Sequence, residues 1–396
     1  MRTLLIVSNS AGSAAVFRQP LVAAARAEGF CVHVLCGEGQ NSLAYIEDMK
    51  SRGVVVHVLP GLEGDGLSPT ALRAQSRETR TLIDQIEPEI VHSFTHRANV
   101  VSYFALRQRK DIRFFPNVTG AGRLFEEDAS SLTLIKRKAL LLIYKAMASR
   151  SEVIFFQNPT DAEEIGQVMN LPLDRIRLTN GSGLSPEGTP DIAPADVRSF
   201  REFLFREHGI DTQRRLFLFP ARALHSKGIK QFYEAALRYL ELYDDAAFIH
   251  AGLTVNDSSV GLSAADIEAM RKPGIAYIGF RTDLPTVIST VDALVLPSFY
   301  REGTPRALIE GLFQGKPIFT TDMPGCRETV IDGWNGYMVK PRSTHDLLSA
   351  LVDFRTADHL AMKANSRLLF ERKYHARHIV EVYMNLYKNP AVTDPK

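Results

Sequence analysis

Two glutamates stand eight positions apart in the stretch "YREGTPRALIE", residues 300–310. Apolar residues recur at helical spacing after Thr304 and Pro305, which predicts a helix with Thr304 as its N-cap. Glu302 then lies in the loop before this helix, and Glu310 lies inside it. The N-terminus of a helix favours an anion, whereas two carboxylates favour hydroxyl groups. A ligand that carries both kinds of group, such as a nucleotide-sugar, fits this pattern.

Two cations occupy a second loop in the same half of the chain. In "FLFPARALHSKGIKQF", Arg222 and Lys227 follow a predicted strand that ends at Pro220 and precede a predicted helix that begins near Gly228. Two cations with backbone donors beside them would stabilise a diphosphate, above all when it departs with growing negative charge. The alternative is a solvated loop with ordinary surface cations. The equivalent placement of both loops between a strand and a helix favours a binding site.

Short apolar runs alternate with helical patterns along the whole chain, which predicts βαβ units and parallel sheets. A Gly/Pro-rich passage, residues 178–196, interrupts this rhythm and is typical of a linker. A chain of 396 residues is long enough for two domains. We predict two doubly wound α/β domains, residues 1–180 and 181–375, and a C-terminal helix over residues 376–396 that returns to the first domain.

Composition narrows the class of protein. Hydrophobic residues make up 45% of the chain and charged residues 23%, with a net charge of +2, so global charge gives no case for nucleic acid. The three cysteines form no C-x-x-C pattern, which favours a reducing cytosol. The apolar run at the N-terminus is too short for a signal peptide, and no run approaches the ~20 residues of a membrane span. We expect a cytoplasmic protein, soluble or peripheral at the cytoplasmic face of the inner membrane.

Motifs for several other chemistries are missing from the sequence. The sequence has no Asp-x-Asp triplet, the motif that often holds a metal on a donor diphosphate. Cationic side chains of the protein would therefore have to neutralise the diphosphate. No Walker-type phosphate loop occurs, and no G-x-G-x-x-G follows the first predicted strand. ATP hydrolysis and dinucleotide redox chemistry are therefore disfavoured, and we expect neither a metal nor a cofactor.

Three stretches resemble glycosyltransferase family 4: "FPARALHSKG", the segment from "YIGFRTDLP" to "GCRETVIDGWNG", and the earlier "NVTGAGRLF". The resemblance is strongest over residues 215–350. It is closest to the capsule, O-antigen and N-glycan branch, which includes N-acetylgalactosaminyl transferases acting on polyprenyl-diphosphate sugars. This resemblance implies a GT-B fold, with two Rossmann-like domains facing a central cleft, and retaining transfer from a UDP-sugar without a metal.

The resemblance also implies roles for individual residues. Arg222 and Lys227 match the pair that binds the donor diphosphate. Glu302 matches the residue that holds the donor sugar hydroxyls and assists the transition state, and Glu310 matches the one that binds the ribose. The remaining donor-side positions offer backbone or lie near the base: Gly12, Gly279, Arg281, Gly303 and Thr304.

The acceptor side departs from the family pattern. Thr119 stands in "NVTGAG" where many relatives have a histidine, and Gly12 is the one glycine of a first loop where relatives often have two. Thr119 and the adjacent Gly120 are expected to contact sugar, although Thr119 could instead end the strand with a local side-chain bond. His96 and Arg97 follow another predicted strand end, where an acceptor diphosphate would bind.

The stretch "SLTLIKRKALLLIYKAMASR", residues 131–150, is basic and amphipathic. It has five cations: Lys136, Arg137, Lys138, Lys145 and Arg150. Such a helix can dock on an anionic membrane, where a lipid-linked acceptor resides. A core helix with a solvated face has the same pattern, and the sequence leaves both interpretations open.

These observations favour one function among three. The leading hypothesis is a retaining glycosyltransferase that moves a hexose or N-acetylhexosamine from a UDP-sugar to a polyprenyl-diphosphate-linked saccharide, in lipopolysaccharide, capsule or other glycan biosynthesis. A non-hydrolysing UDP-sugar epimerase shares the architecture. A catalytically silent nucleotide-sugar-binding partner is the third possibility, and the intact set of two cations and two glutamates argues against it.

Overall fold

The chain forms two compact units. The structure is a computed structural model that describes residues 2–39, 41–64, 68–125, 130–189 and 191–389. The first unit holds the described residues up to Gly183 together with those from Ala376 onward, and the second unit is Leu184–His375. Residue 190 of the predicted linker and residues 390–396 of the predicted C-terminal helix lie outside the described residues.

The first unit alternates strands with helices in the order that the apolar rhythm predicts. Its strands are β1 (Thr3–Ser8), β2 (Cys31–Cys36), β3 (Val55–Val58), β4 (Ile90–Phe94), β5 (Arg113–Val118), β6 (Ile154–Phe156) and β7 (Ile176–Leu178). Its helices up to the connection are α1 (Ala11–Phe17), α2 (Gln19–Ala27), α3 (Ser42–Ser51), α4 (Pro69–Ile86), α5 (His96–Leu106), α6 (Ser131–Arg150) and α7 (Pro159–Met169).

The second unit repeats this alternation. Its strands are β8 (Arg215–Phe219), β9 (Ala246–His250), β10 (Ile275–Tyr277), β11 (Ala293–Leu296), β12 (Ile318–Thr321) and β13 (Gly336–Val339). Its helices are α8 (Pro194–His208), α9 (Ile229–Leu242), α10 (Ala264–Ala269), α11 (Leu284–Thr290), α12 (Arg306–Phe313), α13 (Thr344–Asp353) and α14 (His359–Leu369). The last helix of the chain, α15 (Ala376–Lys388), belongs to the first unit.

Both sheets of the described residues are parallel and doubly wound. The order in the first unit is β3-β2-β1-β4-β5-β6-β7, and in the second it is β10-β9-β8-β11-β12-β13. Each order reverses direction once, between β1 and β4 and between β8 and β11. In each sheet, the loops that follow the two strands at the reversal turn to opposite faces and open a crevice at the carboxyl edge of the sheet. Doubly wound sheets bind ligands at this place.

Burial explains why the central strands are continuous apolar runs. Leu4, Leu5, Ile6 and Val7 of β1 have no exposed surface, because helices cover both faces of the sheet. The helices instead bury a single stripe. In α9, for example, the stripe that faces the core contains Phe232, Ala236 and Tyr239.

The helix α15 packs into the core of the first unit. Asn117 on β5 donates a hydrogen bond to the hydroxyl of Tyr383 over 2.9 Å. The hydroxyl of Tyr387 lies 2.5 Å from Nδ1 of His92, which is fully buried. Arg113 donates to the carbonyl of Tyr387 near the end of the helix, where a cation is favourable. His92 is therefore a core residue. Within the described ranges, no helix combines the length and apolar character needed to cross a bilayer.

Candidate functional site

The switch point of the second unit brings together the predicted diphosphate and sugar residues. Arg222 and Lys227 lie in the loop after β8, and Glu302 lies in the loop after β11. Lys227 donates a hydrogen bond through Nζ to Oε1 of Glu302, although the two residues are 75 positions apart. Their side chains are only 19% and 14% exposed. A partly buried pair of opposite charges therefore stands at the point where the strand order reverses.

Backbone contacts hold these two loops side by side. The carbonyl of Ser226 accepts hydrogen bonds from the N–H groups of Phe299 and Tyr300, over 2.8 and 3.0 Å. It also accepts one from the hydroxyl of Ser298 over 3.2 Å. The position of Lys227 beside Glu302 is therefore fixed by its neighbour in the chain, and it does not depend on the side-chain pair alone.

Two glycines allow the loops to approach this closely. Gly228 has φ +79°, and a Cβ there would lie 2.1 Å from the carbonyl oxygen of Pro297. Gly325 has φ +86°, and a Cβ there would lie 2.5 Å from the carbonyl of Glu302 and 2.6 Å from that of Gly303. Side chains other than glycine would push the Glu302 loop away. The "GCRE" stretch thus supports Glu302 from behind.

Cys326 of that stretch is buried next to the charged pair. Burial and the negative charge of Glu302 raise the pKa of its thiol to about 12. The thiol therefore stays protonated at neutral pH and is not a nucleophile. Glu328 accepts a hydrogen bond from the N–H of Gly325 over 2.7 Å, and burial raises the pKa of its carboxyl group. These two residues shape the loop and were not predicted.

A buried histidine fixes the other end of the β8 loop. Nε2 of His250 donates to the carbonyl of Ala221 over 3.1 Å, and its Nδ1 accepts from the hydroxyl of Tyr233 over 3.1 Å. Burial lowers the pKa of His250 to about 4, so the ring is neutral at pH 7. Arg222 follows Ala221 directly and is exposed. Among the described residues, its guanidinium has no carboxylate partner, which leaves it available to an anion.

The helix that carries Glu310 starts later than predicted. Its N-cap is Pro305, with extended backbone at φ −61° and ψ 121°, and its first residue is Arg306. The hydroxyl of Thr304 donates to the carbonyl of Gly303 over 2.9 Å and does not cap the helix. The prediction of Thr304 as N-cap was therefore wrong. Arg306 donates to Glu310 over 2.9 Å, one turn along the helix, and so orients its carboxylate.

The predicted base-side residues are placed differently from one another. Gly279 has φ +69° and open space beside it. Arg281 pairs with Asp283 over 2.6 Å, and its guanidinium lies 5.5 and 5.3 Å from the rings of Phe200 and Phe203. These contacts give Arg281 a local packing role, and its contact with a donor stays a prediction.

The switch point of the first unit holds Gly12, His96 and Arg97. Gly12 is the second residue of α1, and a Cβ there would lie 3.2 Å from the ring of Tyr45. The residue before His96 is Thr95, with φ +84° and ψ 158°. That region is almost restricted to glycine, so a β-branched residue there stores roughly 1–3 kcal/mol of strain. Among the described residues, the buried hydroxyl of Thr95 has no hydrogen-bond partner. Sequence patterns gave no sign of this strained residue.

His96 uses both of its ring nitrogens inside the protein. Nε2 lies 3.0 Å from the carbonyl of Ala121, to which it donates, and Nδ1 lies 2.9 Å from the hydroxyl of Tyr144. Asn99 donates to the same hydroxyl, so the hydroxyl proton points to His96. Burial lowers the pKa of His96, an effect only partly offset by the bond to Ala121 and the charge of Asp161. The ring positions a loop and offers no nitrogen to an acceptor in this structure.

Asp161 holds the same loop from the opposite side. Its buried carboxylate accepts the N–H of Ala121 over 2.9 Å and the side-chain amide of Asn158 over 2.8 Å. The "NVTGAG" loop is therefore anchored at Ala121 by two side chains. The sequence "NPTD" at residues 158–161 has the pattern of a helix N-cap, with Asn158 as the capping residue of α7. This pattern indicates the start of the helix but not the contact of Asp161 with the loop.

Thr119 and Gly120 precede this anchored residue and are half-buried. The hydroxyl of Thr119 makes no hydrogen bond with the part of the chain that the structure describes, so the local bond considered from the sequence is absent there. Gly120 has φ +124°, a conformation that favours glycine. Arg97 donates to the side chain of Gln75 over 3.1 Å and to the carbonyl of Gly64 over 3.3 Å.

The basic face predicted on α6 is smaller than the sequence suggested. Arg137 donates to the carbonyl of Leu124, so it is tied to the turn before the helix. Arg150 donates to the carbonyls of Leu106 and Ile112, over 3.2 and 2.7 Å. Both are structural cations. The other three predicted cations are exposed: Lys136, Lys138 and Lys145. Among the described residues, no cluster of three or more metal-binding side chains occurs.

Comparisons with known proteins agree with this geometry. The family model described as "Glycosyl transferase 4-like domain" matches residues 12–181, and the one described as "Glycosyl transferases group 1" matches residues 200–367. A relative from Campylobacter jejuni is N,N'-diacetylbacillosaminyl-diphospho-undecaprenol alpha-1,3-N-acetylgalactosaminyltransferase. It is 24% identical over 97% of this chain and 98% of its own length.

A second relative and a solved structure extend the comparison. An Escherichia coli protein, UDP-Gal:alpha-D-GlcNAc-diphosphoundecaprenol alpha-1,3-galactosyltransferase, is 23% identical over 68% of this chain and 67% of its own length. The crystal structure of Anabaena HepE in complex with UDP-glucose has a TM-score of 0.74 at 14% identity, covering 98% of this chain and all of that one. Each half of the chain matches a glycosyltransferase domain and each unit has the doubly wound sheet of a GT-B enzyme, so the chain belongs to the GT-B glycosyltransferases.

Proposed function

We propose that this glycosyltransferase moves a hexose or N-acetylhexosamine, with retention of configuration, from a UDP-sugar to a saccharide carried on a polyprenyl diphosphate. The observation that carries the proposal is the contact of Lys227 with Glu302 at the switch point of the second unit. The names of the Campylobacter and Escherichia coli relatives support a diphospho-undecaprenol-linked acceptor. The name of the Escherichia coli relative and the UDP-glucose complex of HepE support a UDP-sugar donor.

The donor diphosphate is assigned to Arg222, Lys227 and the backbone of Gly303 and Thr304. When the bond from the sugar to the diphosphate breaks, negative charge grows on the diphosphate, and fixed cations lower the energy of that state. Lys227 has three donor protons, so it can bind Glu302 and a phosphate oxygen together. The proposal therefore needs no metal to neutralise the leaving group.

The two glutamates are assigned to hydroxyl groups. Glu302 is held by Lys227 and by the glycine-supported loop, which keeps its carboxylate in one place for the hydroxyls of the donor sugar. Glu310 is held by Arg306 and has acceptor positions left for the ribose. Gly279 and Arg281 remain proposed for the base side, and Gly12 for the donor.

The acceptor side is assigned to the first unit. Thr119 and Gly120 are the proposed sugar contacts, and Arg97 is the proposed contact for the acceptor diphosphate. His96, whose nitrogens are both engaged, takes the role of a positioning residue together with Asp161. We further propose that the protein associates with the cytoplasmic face of the membrane in a peripheral way, through the three exposed lysines of α6.

A screen of donors and acceptors tests the proposed function. Purified protein is incubated with individual UDP- and GDP-sugars and a membrane extract that contains polyprenyl-linked saccharides, and the lipid products are identified by mass spectrometry. We expect one UDP-sugar to add one sugar residue, with the anomeric configuration of the donor retained by NMR. Transfer from GDP-sugars alone, or an inverted product, contradicts the proposal.

The epimerase alternative is separated by omitting the acceptor. A retaining transferase without acceptor leaves the UDP-sugar unchanged or slowly hydrolyses it. A UDP-sugar epimerase instead produces the epimeric sugar under the same conditions, which chromatography of the sugar detects. Accumulation of the epimer at a rate comparable with transfer would replace the proposed function.

A further inference from the structure

A long apolar groove runs between α4 and α6 in the first unit. Its volume is about 610 Å³, within the usual range for a ligand site. The apolar lining includes Leu72 on α4, Phe104 on α5, and Ile135 and Ile143 on α6. Ile135 is 64% exposed and Phe104 is 37% exposed, although both are large apolar residues. An exposed apolar surface of this kind is typical of a site that binds a ligand, a membrane or another protein.

Cations border this α4–α6 groove. Arg73, Arg77 and Arg80 follow one another along α4, and Lys136 stands on α6. Arg80 donates to the side chain of Gln108 over 2.8 Å. Within the described part of the chain, the side chains of Arg73, Arg77 and Lys136 have no ion-pair partner. No carboxylate is among the residues that line the groove. Its occupant should therefore combine a long apolar body with an anionic group.

The two helices that form the groove also carry the acceptor-side residues. Tyr144 follows Ile143 on α6, and its hydroxyl contacts His96. Gln75 lies two residues after Arg73 on α4 and accepts a hydrogen bond from Arg97. The residues that line the groove therefore lie on the same two helices as the hydrogen-bond partners of His96 and Arg97.

We propose that the α4–α6 groove binds the isoprenoid chain of the polyprenyl-diphosphate acceptor, and that the groove cations contact the diphosphate together with Arg97. This inference rests on the proposed function for the identity of the acceptor. An isoprenoid chain supplies the apolar body, and the diphosphate supplies the charge that three unpaired cations attract. The groove thereby selects the lipid carrier, whereas the "NVTGAG" loop contacts the saccharide.

The test uses geranylgeranyl diphosphate, a short isoprenoid diphosphate, below its micellar concentration. Calorimetry measures its binding to the full chain, with inorganic diphosphate as the chain-free comparison. We expect saturable binding of geranylgeranyl diphosphate that inorganic diphosphate at the same concentration does not displace. Ala139→Trp, which fills the groove, should weaken this binding at least 10-fold because the chain loses apolar contact area.

Matched variants control for folding and for charge. Ala146→Trp makes the same change at another exposed alanine of α6 that does not line the groove, and it should leave binding within about twofold of the wild type, the scale of a surface change. Lys136→Glu should weaken binding about fivefold or more, since it replaces an attractive charge by a repulsive one. Lys138→Glu, two positions along α6 and outside the groove, should have little effect. Equal melting temperatures establish that all variants are folded.

Three outcomes of the binding experiments overturn the inference. The first is no binding of geranylgeranyl diphosphate to the wild type. The second is loss of binding to phosphatidylglycerol vesicles in Ala139→Trp with soluble-probe binding intact, which makes the groove a bilayer-docking surface. The third is dissociation of a dimer in Ala139→Trp during sedimentation, which makes it an interface between two copies.

The transfer assay distinguishes failure of the groove from failure of the function. If Ala139→Trp has an unchanged KM for the polyprenyl-linked acceptor, the groove does not hold the chain, and the proposed transfer stands. If the wild type binds geranylgeranyl diphosphate as expected but transfers no sugar to any lipid-linked acceptor, the proposed function fails, and the groove remains a lipid site.

Discussion

The two units share a histidine hydrogen-bond arrangement near their switch points and differ in the charged pairs that reach the predicted ligand residues. In each unit a neutral, largely buried histidine donates Nε2–H to a loop carbonyl and accepts a tyrosine hydroxyl at Nδ1: His96 with Ala121 and Tyr144, and His250 with Ala221 and Tyr233. In the second unit, charged pairs also reach the predicted ligand residues: Lys227 pairs with Glu302, and Arg306 pairs with Glu310.

The proposed function accounts for this difference between the loops of the two units. In both units the neutral histidine holds loop backbone without a charge of its own to desolvate. In the first unit the buried carboxylate of Asp161 holds the same loop as well. In the proposed function the second unit must in addition stabilise the charge that grows on a leaving diphosphate, and fixed cations provide this stabilisation. The loop after β5 in the first unit has a threonine and glycines, which suit a neutral saccharide.

Removing the cations of the second unit should have the largest effect. We expect Lys227→Ala and Arg222→Ala each to lower kcat by roughly 100-fold or more, because each removes a contact that is strongest in the transition state. Initial rates of sugar transfer at saturating donor measure this. Lys230→Ala, an exposed lysine in the first turn of α9, is the matched control. Rates close to wild type in both variants would remove the diphosphate assignment.

The two glutamates should fail in different ways. Glu302→Gln should mainly lower kcat, by about 100-fold, since its partner is the reacting sugar. Glu310→Gln should mainly raise the KM for the donor, by about 10-fold, since the ribose contact exists before and during the reaction. Steady-state kinetics with varied donor separate these effects, with exposed Glu241→Gln as control. Identical kinetic defects contradict the division of roles.

The shared histidine device predicts how stability depends on pH. The pKa of His250 is about 4 in the folded protein and near 6.5 when unfolded, so between these values the unfolded chain binds the extra proton. Stability is therefore highest above pH 6.5 and falls as the pH is lowered towards 4. From His250 alone, the free energy of unfolding should decrease by about 2 kcal/mol at pH 5.

Urea unfolding at pH 7.5 and pH 5 measures this dependence. Burial lowers the pKa of His96 and of His92 as well, so they act in the same direction. His250→Gln should reduce the difference between the two pH values, whereas His345→Gln, at an exposed histidine, should not. An unchanged pH dependence in His250→Gln means that this ring is not held neutral by the fold.

The neutral loop of the first unit should give a smaller effect on activity. Thr119→Val keeps the shape of the side chain and removes its hydroxyl, which leaves a polar sugar group unpaired. We expect transfer to slow on the order of 10-fold with the melting temperature little changed. Thr212→Val, a half-buried threonine between α8 and β8, is the control. If Thr119→Val transfers sugar at the wild-type rate, the acceptor contacts must lie nearer Arg97.

The sequence predicted the fold and the charged loops well, for a physical reason. Fully buried parallel strands are continuous apolar runs, so β1, β4, β8 and β11 could be recognised one by one. Charged residues in the loops after β8 and β11 stand out against such runs. The placement of Arg222, Lys227 and Glu302 around one switch point then follows from the doubly wound topology.

The first unit is harder to predict because its loop is held by hydrogen bonds between residues that are far apart in the sequence. The bonds of His96 to Tyr144 and of Asp161 to Ala121 join residues 48 and 40 positions apart, and no local pattern reports them. His96 was consequently expected to contact the acceptor. The sequence likewise predicts Arg137 as a surface cation, whereas it donates to the carbonyl of Leu124.

Hydrogen–deuterium exchange with and without UDP tests the central difference between the units most directly. UDP carries the diphosphate, the ribose and the base but no donor sugar, so it should contact the charged loops after β8 and β11 but not the proposed sugar contacts at residues 119 and 120. We predict that saturating UDP slows exchange at residues 225–228 and 302–304 and leaves residues 119–122 unchanged. Slower exchange at 119–122 with no change in the loops after β8 and β11 would contradict the assignment of the donor diphosphate to the second unit.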